Sequence, residues 1–145
     1  MADEKLFKRW LKNSLPETAH ATHIETATVS GVPDTHVTFQ GITTWIECKD
    51  IPTSSVLVKL RAVQYMWFKK HIAAGGRGIL AIKRKDKSVD LYSAAAITNV
   101  DQDKIKTSGK DYILTGLVEP FYTVFMPLSM MTRKEYWRQL LIRKL

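Results

Sequence analysis

Apolar positions recur along this chain with two periods, one helical and one alternating, and the order of those periods outlines a fold. Leu6, Phe7, Trp10 and Leu11 follow the i, i+1, i+4, i+5 spacing of an amphipathic helix over residues 3–15, which Pro16 ends. Over residues 21–30 the β-branched Thr22, Ile24, Thr26, Thr28 and Val29 predict a strand, closed by Gly31 and Pro33. Residues 34–39 and 42–49 are two short runs around Gln40-Gly41 and predict a β-hairpin. Past Pro52, Ser54 or Ser55 is expected to cap a helix through Val56, Leu60, Val63, Trp67 and Phe68 that stops at Gly75-Gly76. The apolar run over residues 78–83 then reads as a buried strand, completing a strand, helix, strand unit.

Downstream, residues 89–92 predict another short strand, and the polar stretch over residues 98–111 predicts a loop. Residues 112–118 and 121–126 predict two more strands around Glu119-Pro120. Thr132-Arg133-Lys134-Glu135 has the capping-box pattern and leads into a helix with Tyr136, Trp137, Leu140 and Leu141 on one face. No repeat or linker interrupts this order. The expectation is one α/β domain over residues 1–145, a central mixed sheet flanked by helices.

With 145 residues, 45% hydrophobic and 25% charged, the chain has the composition of a folded domain with one core. The longest run without Asp, Glu, Lys or Arg is 13 residues, over 120–132, against the ~20 that a bilayer span needs, so no membrane crossing is expected. The acidic start, Asp3 and Glu4, does not read as a secretory leader. A single cysteine, Cys48, excludes an intramolecular disulfide and suits a reducing, cytoplasmic setting, the host cytoplasm if the chain is viral.

The net charge of +8 is unevenly placed. Between Lys59 and Lys87 lie nine bases and one acid, Asp86, while the other 13 bases and 13 acids cancel. A basic segment of this kind is the footprint of a polyanion partner, most often nucleic acid. Charge alone is equally consistent with a solvated surface, or with a membrane-surface or acidic-protein partner.

Chemistry enters through the hairpin. If Gln40 and Gly41 form a two-residue turn, Phe39 pairs with Ile42 and Asp34 faces Glu47, with Cβ atoms about 4.5–5.5 Å apart. Alternation puts Lys49 on the face of Glu47, and Val37, Phe39, Ile42, Ile46 and Cys48 on the core face, where Cys48 is a packed thiol. Two facing carboxylates repel unless a cation or shared proton lies between them, and oxygen ligands of this kind suit Mg²⁺ completed by water and phosphate oxygens. The alternative is a solvated face with a Glu47/Lys49 ion pair, and the Gln-Gly turn is weak enough for the register to slip.

The string Gly31-Val32-Pro33-Asp34, the hairpin and Trp45-Ile46-Glu47-Cys48-Lys49 resemble the PD-(D/E)xK nuclease superfamily. The order of Gly-x-Pro-Asp, Ile-Glu-x-Lys, a helical Gln64 and Gly75-Gly76-Arg77 is most similar to its Holliday-junction-resolvase-like and virus-type replication-repair nuclease branches, over roughly residues 24–83. The resemblance implies a restriction-endonuclease-like core and a metal-dependent endodeoxyribonuclease. Asp34, Glu47 and the Cys48 backbone carbonyl would bind Mg²⁺ or Mn²⁺, Lys49 would position the attacking water, and Gln64 would contact a metal-bound water or the scissile phosphate. Gln64 otherwise reads as a helix-surface amide. A further acid from the first helix is expected in many members; Glu4 is the candidate, with Glu17 and Glu25 as rivals. Arg61, Lys69, Lys70, Arg77, Lys83, Arg84, Lys85 and Lys87 would hold DNA.

The resemblance further implies branched DNA as substrate and a homodimer with two symmetry-related sites, the terminal helices packing on the core or forming the dimer interface. Single-stranded, flapped or generic duplex DNA, or a non-catalytic DNA-binding module of the same fold, are the alternatives. Trp10, Trp67 and Trp137 read as core, and His36, on the site face opposite Trp45, reads as a packed histidine, with a place near the phosphate as the alternative. Trp45 shares the face of Glu47 and could shield the site or stack on a base. His20, His23 and His71 show no zinc spacing with Cys48.

Overall fold

The computed structural model describes residues 2–24 and 31–145, with side chains from Lys5 onward. Helix α1 (Ala2–Ser14) buries Phe7 and Leu11, followed by Leu15, as its spacing predicts. Strand β1 (His20–His23) is the described part of the strand expected over residues 21–30; residues 25–30 lie outside the described residues. The hairpin of β2 (Thr35–Phe39) and β3 (Ile42–Asp50) has the expected register, Phe39 opposite Ile42 and Thr35 opposite Ile46. Gln40 and Gly41 both have positive φ, 51° and 78°, the primed-turn geometry that matches strand twist.

The helix expected from Ser54 or Ser55 is the main correction. Ser55 Oγ accepts a local turn bond from the Leu57 N–H, and the chain stays extended through β4 (Lys59–Arg61) before α2 (Ala62–Ala73) begins. Leu60 is buried because β4 pairs with β8 (Asp111–Ile113), and the apparent period through Val56, Leu60 and Val63 is coincidental: Val56 is 74% exposed. Tyr65 and Phe68 form the buried face of α2.

Strands β5 (Gly78–Lys83) and β6 (Ser88–Ser93) follow, then a short α3 (Ala94–Thr98) that no period announces. The expected loop over residues 98–111 contains a 3₁₀ turn, Gln102–Lys104, and β7 (Lys106–Ser108), which pairs with β8. Strands β8 and β9 (Tyr122–Phe125) are shorter than predicted. Helix α4 (Met130–Leu140) starts before the expected capping box. Ser129 is its N-cap, accepting from the Thr132 N–H at 3.2 Å, and Thr132 lies inside the first turn.

The main sheet has the order β1-β2-β3-β5-β6-β9, parallel only between β3 and β5, and a second sheet has the order β4-β8-β7. This is the mixed sheet with flanking helices that the sequence predicts. One sheet face buries Val37, Ile46, Cys48, Ile79 and Leu91 against Phe7 and Leu11 of α1 and Trp137 and Leu140 of α4. Both terminal helices thus pack on the core. The other face buries Leu80, Ile82 and Tyr92 against Tyr65 and Phe68 of α2, Ala94 and Ile97 of α3, and Leu60 and Leu114 of the second sheet. Among the described residues no helix is long and apolar enough to cross a membrane.

Candidate functional site

Asp34 stands one residue before β2, next to the last β2–β3 pair, Thr35 opposite Ile46. Continuing that register puts Asp34 opposite Glu47 and Pro33 opposite Cys48. A proline has no N–H to extend the ladder. Instead the Cys48 N–H donates to Asp34 Oδ2 at 3.1 Å, and the Asp34 N–H donates to Glu47 Oε1 at 3.2 Å. On a strand the N–H and C=O of one residue point the same way, so the Cys48 carbonyl edge also faces the Asp34 side. The Cys48 thiol is fully buried on the opposite sheet face, in the core.

Each carboxylate has further fixed partners. Thr35 Oγ1 donates to Asp34 Oδ1 at 2.9 Å and is itself hydrogen-bonded to His23 Nδ1 at 2.9 Å. Gln64 Nε2 donates to Glu47 Oε2 at 3.0 Å. Two ammoniums stand slightly further out: Lys49 Nζ is 3.9 Å from Glu47 Oε2 and Lys8 Nζ is 3.7 Å from Asp34 Oδ2. Glu47 is only 6% exposed, a carboxylate that burial alone would make costly and that these donors and the nearby charge offset.

Gln64 reaches the site from the first turn of α2, not from mid-helix as expected. Its Oε1 accepts from the Arg61 N–H at 3.1 Å, satisfying a helix N-terminus, while its Nε2 is aimed at Glu47. Gly31, at φ +84°, permits this approach: a Cβ there would collide with the Val63 carbonyl, immediately before Gln64. The Gly31-to-Asp34 turn and the start of α2 are therefore packed directly on each other.

An aromatic wall flanks Glu47 along the sheet. Trp45 packs on His36 (ring centroids 4.9 Å) and edge-on against Trp67 (5.1 Å), and His71 stacks on Trp67 (4.6 Å). Burial lowers the His71 pKa below its ordinary value, favouring the neutral ring. Trp137 is fully buried, while Trp10 and Trp67 are partly buried at the edges of the two cores.

The structure thus brings Asp34, Glu47, Lys49 and Gln64 together. Glu4 lies in the first turn of α1, but its side chain is outside the described set; Glu17 is exposed and Glu25 is outside the described residues. Lys8, Thr35 and His23 complete the arrangement, and none of them was singled out by motif. The signal for Lys8 is its place beside Phe7 and one turn before Leu11 on α1. Among the described residues no three His, Cys, Asp or Glu side chains gather, so from these residues an ion would take two carboxylates, with main chain and water beside them. That all-oxygen set suits Mg²⁺.

The eight bases expected to hold DNA are placed very differently from one another. Arg77 donates to Thr44 Oγ1 (2.8 Å) and to the carbonyls of Leu140 (3.2 Å), Leu141 (3.3 Å) and Arg143 (2.7 Å), binding the C-terminal end of α4, and burial lowers its pKa. Arg84 bonds Asp90 (3.0 Å), the Leu57 carbonyl and the Tyr92 hydroxyl, and Lys83 pairs with Asp50 at 3.5 Å. Arg61, Lys70, Lys85 and Lys87 are exposed, and Lys69 is half-buried.

No family model matches this sequence, and no curated protein matches it. Among solved structures, the chain is similar to Hjc, a Holliday junction resolvase from the archaeal hyperthermophile Archaeoglobus fulgidus. The two share 15% identity with a TM-score of 0.48, over 77% of this chain and 83% of that one.

Proposed function

We propose that this chain is a metal-dependent endodeoxyribonuclease that hydrolyses DNA phosphodiester bonds. The observation that carries this reading is the convergence of the Asp34 carboxylate, the Glu47 carboxylate and the Cys48 main chain at one end of the hairpin, closed by Lys49 and Gln64. Asp34, Glu47 and the Cys48 carbonyl would hold Mg²⁺, with Mn²⁺ as a substitute and Glu4 as a further ligand. Such an ion supplies offsetting charge for a phosphate and activation for water.

The chain's own residues do the rest. Lys49, held by its place two residues after Glu47, orients the attacking water and stabilises negative charge as it builds on the phosphate. Gln64 presents an amide donor fixed at its other end by the Arg61 N–H, and so restrains both Glu47 and the incoming phosphate oxygen. Thr35, backed by His23, holds Asp34 in one orientation.

Within DNA, the four-way junction is the substrate proposed first, because the motif order Gly31 to Asp34, Ile46 to Lys49, Gln64 resembles that of junction-resolving nucleases. Two sites on a homodimer would then cut paired strands. The test is incubation of the chain with a labelled four-way junction and a matched linear duplex, each with Mg²⁺ and with EDTA. Cleavage that needs Mg²⁺ and favours the junction is expected. Equal cutting of both substrates removes the junction preference, and no cutting of either removes the nuclease.

A further inference from the structure

Beyond the bases foreseen from the sequence lies a second basic surface, on α1. Lys5, Lys8, Arg9 and Lys12 follow i, i+3, i+4, i+7 spacing and so share one side of that helix. Together with His23 and Ile24 they line an open cavity of about 310 Å³. Two contacts connect the cavity to the carboxylate pair. The Lys8 ammonium is 3.7 Å from Asp34 Oδ2, and His23 bonds Thr35, which donates to Asp34.

Among the described residues no carboxylate forms an ion pair with Lys5, Arg9 or Lys12. In the segment from Lys59 to Lys87, by contrast, Arg77, Lys83 and Arg84 are committed inside the fold and Lys59 pairs with Asp111 at 3.7 Å. The local charge excess read from sequence therefore overstates what that segment offers to a partner, and α1 is understated.

We infer that the basic side of α1 is a docking surface for the DNA phosphate backbone, guiding one strand over the cavity toward Asp34 and Glu47. The inference rests on the nuclease reading above. From Lys5 to Lys12 the helix rises about 10 Å, which spans roughly three nucleotides of one strand at about 3.4 Å each. Charge alone makes these contacts, so they give affinity and register without reading bases.

The test is fluorescence anisotropy with a labelled duplex in EDTA across a salt series, with Mg²⁺-dependent cleavage measured in parallel. The triple variant Lys5→Gln, Arg9→Gln, Lys12→Gln should bind at least about tenfold more weakly, with a salt slope reduced by about 2–3, at about 0.9 per lost phosphate contact. The charge-keeping variant Lys5→Arg, Arg9→Lys, Lys12→Arg should bind like the parent chain, which separates lost charge from a disturbed helix. Unchanged affinity and slope in the Gln variant, while the parent still cuts DNA, overturn the docking surface and leave the nuclease standing. Weakened binding in a chain that never cuts does the reverse, and a parent chain that neither binds nor cuts overturns both.

Discussion

Two clusters of acidic and basic groups sit on the same six-stranded sheet, and they neutralise their carboxylates in opposite ways. At the far end, Arg84 grips Asp90 at 3.0 Å while Thr123 donates to the other Asp90 oxygen, and the remaining guanidinium nitrogens brace the Leu57 carbonyl and the Tyr92 hydroxyl. At the hairpin end, the donors in direct contact with Asp34 and Glu47 include two main-chain N–H groups, Thr35 and Gln64, and Lys8 and Lys49 form longer ion pairs at 3.7 and 3.9 Å. A guanidinium in direct contact fastens the fold. Neutral donors fix the carboxylate oxygens while the balancing ammoniums stay at 3.7 and 3.9 Å, an arrangement that suits a divalent cation.

The contrast can be broken most directly by exchanging which cluster is damaged. Asp34→Ala or Glu47→Ala should lower cleavage by at least about 10³-fold and leave DNA binding largely intact, as measured by single-turnover assays beside anisotropy. Arg84→Gln should instead cost about 2–3 kcal/mol of stability in a urea melt and keep the turnover of the remaining folded protein. If Arg84→Gln silences cleavage as completely as Asp34→Ala, the two clusters are not functionally distinct.

Smaller effects sharpen the same contrast. Lys49→Ala should reduce cleavage about 100-fold, and Gln64→Ala about 10- to 100-fold, with Mg²⁺ titrations shifted to higher concentration for Gln64→Ala. Gly31→Ala forces a side chain into positive φ and against Val63. It should cost about 1–3 kcal/mol and slow cleavage, because Asp34 and Gln64 are moved apart. A variant as stable and active as the parent would show that the turn does not position the site.

The smallest expected effect is a pH dependence in the aromatic wall beside Glu47. Burial lowers the His71 pKa from its ordinary 6.5, so in that range the unfolded chain binds more protons than the folded one. Its contribution to stability is complete above about pH 6.5 and is lost as pH falls toward the lowered folded value. Thermal melts from pH 8 to 5 should show this decline, and His71→Phe should flatten it.

Much of this was legible in the sequence because the hairpin is local. Alternation and a two-residue turn are enough to place Asp34 against Glu47 and to send Cys48 to the core. The start of α2 was not legible: Leu60 is buried by β4 pairing with β8, about fifty residues later, and that partner leaves no mark on the local period. Long-range partners likewise redirect Arg77, through the α4 carbonyls, and Arg84, through the Leu57 carbonyl, beside its shorter-range bond to Asp90 across the β5–β6 turn. A charge count treats such residues as surface. Lys8 carries no local mark for the same reason, since its meeting with Asp34 exists only once α1 packs against the sheet.

The tight β2–β3 hairpin also bears on how the chain reaches its native state. Asp34 and Glu47 are 13 residues apart, so their juxtaposition requires only one short loop closure, and hairpins of this kind form in about 1–10 μs. Lys49 lies on that same hairpin and comes with the two carboxylates, whereas Gln64 and Lys8 belong to α2 and α1, so the contacts that close the site span larger separations along the chain than the pair they close on.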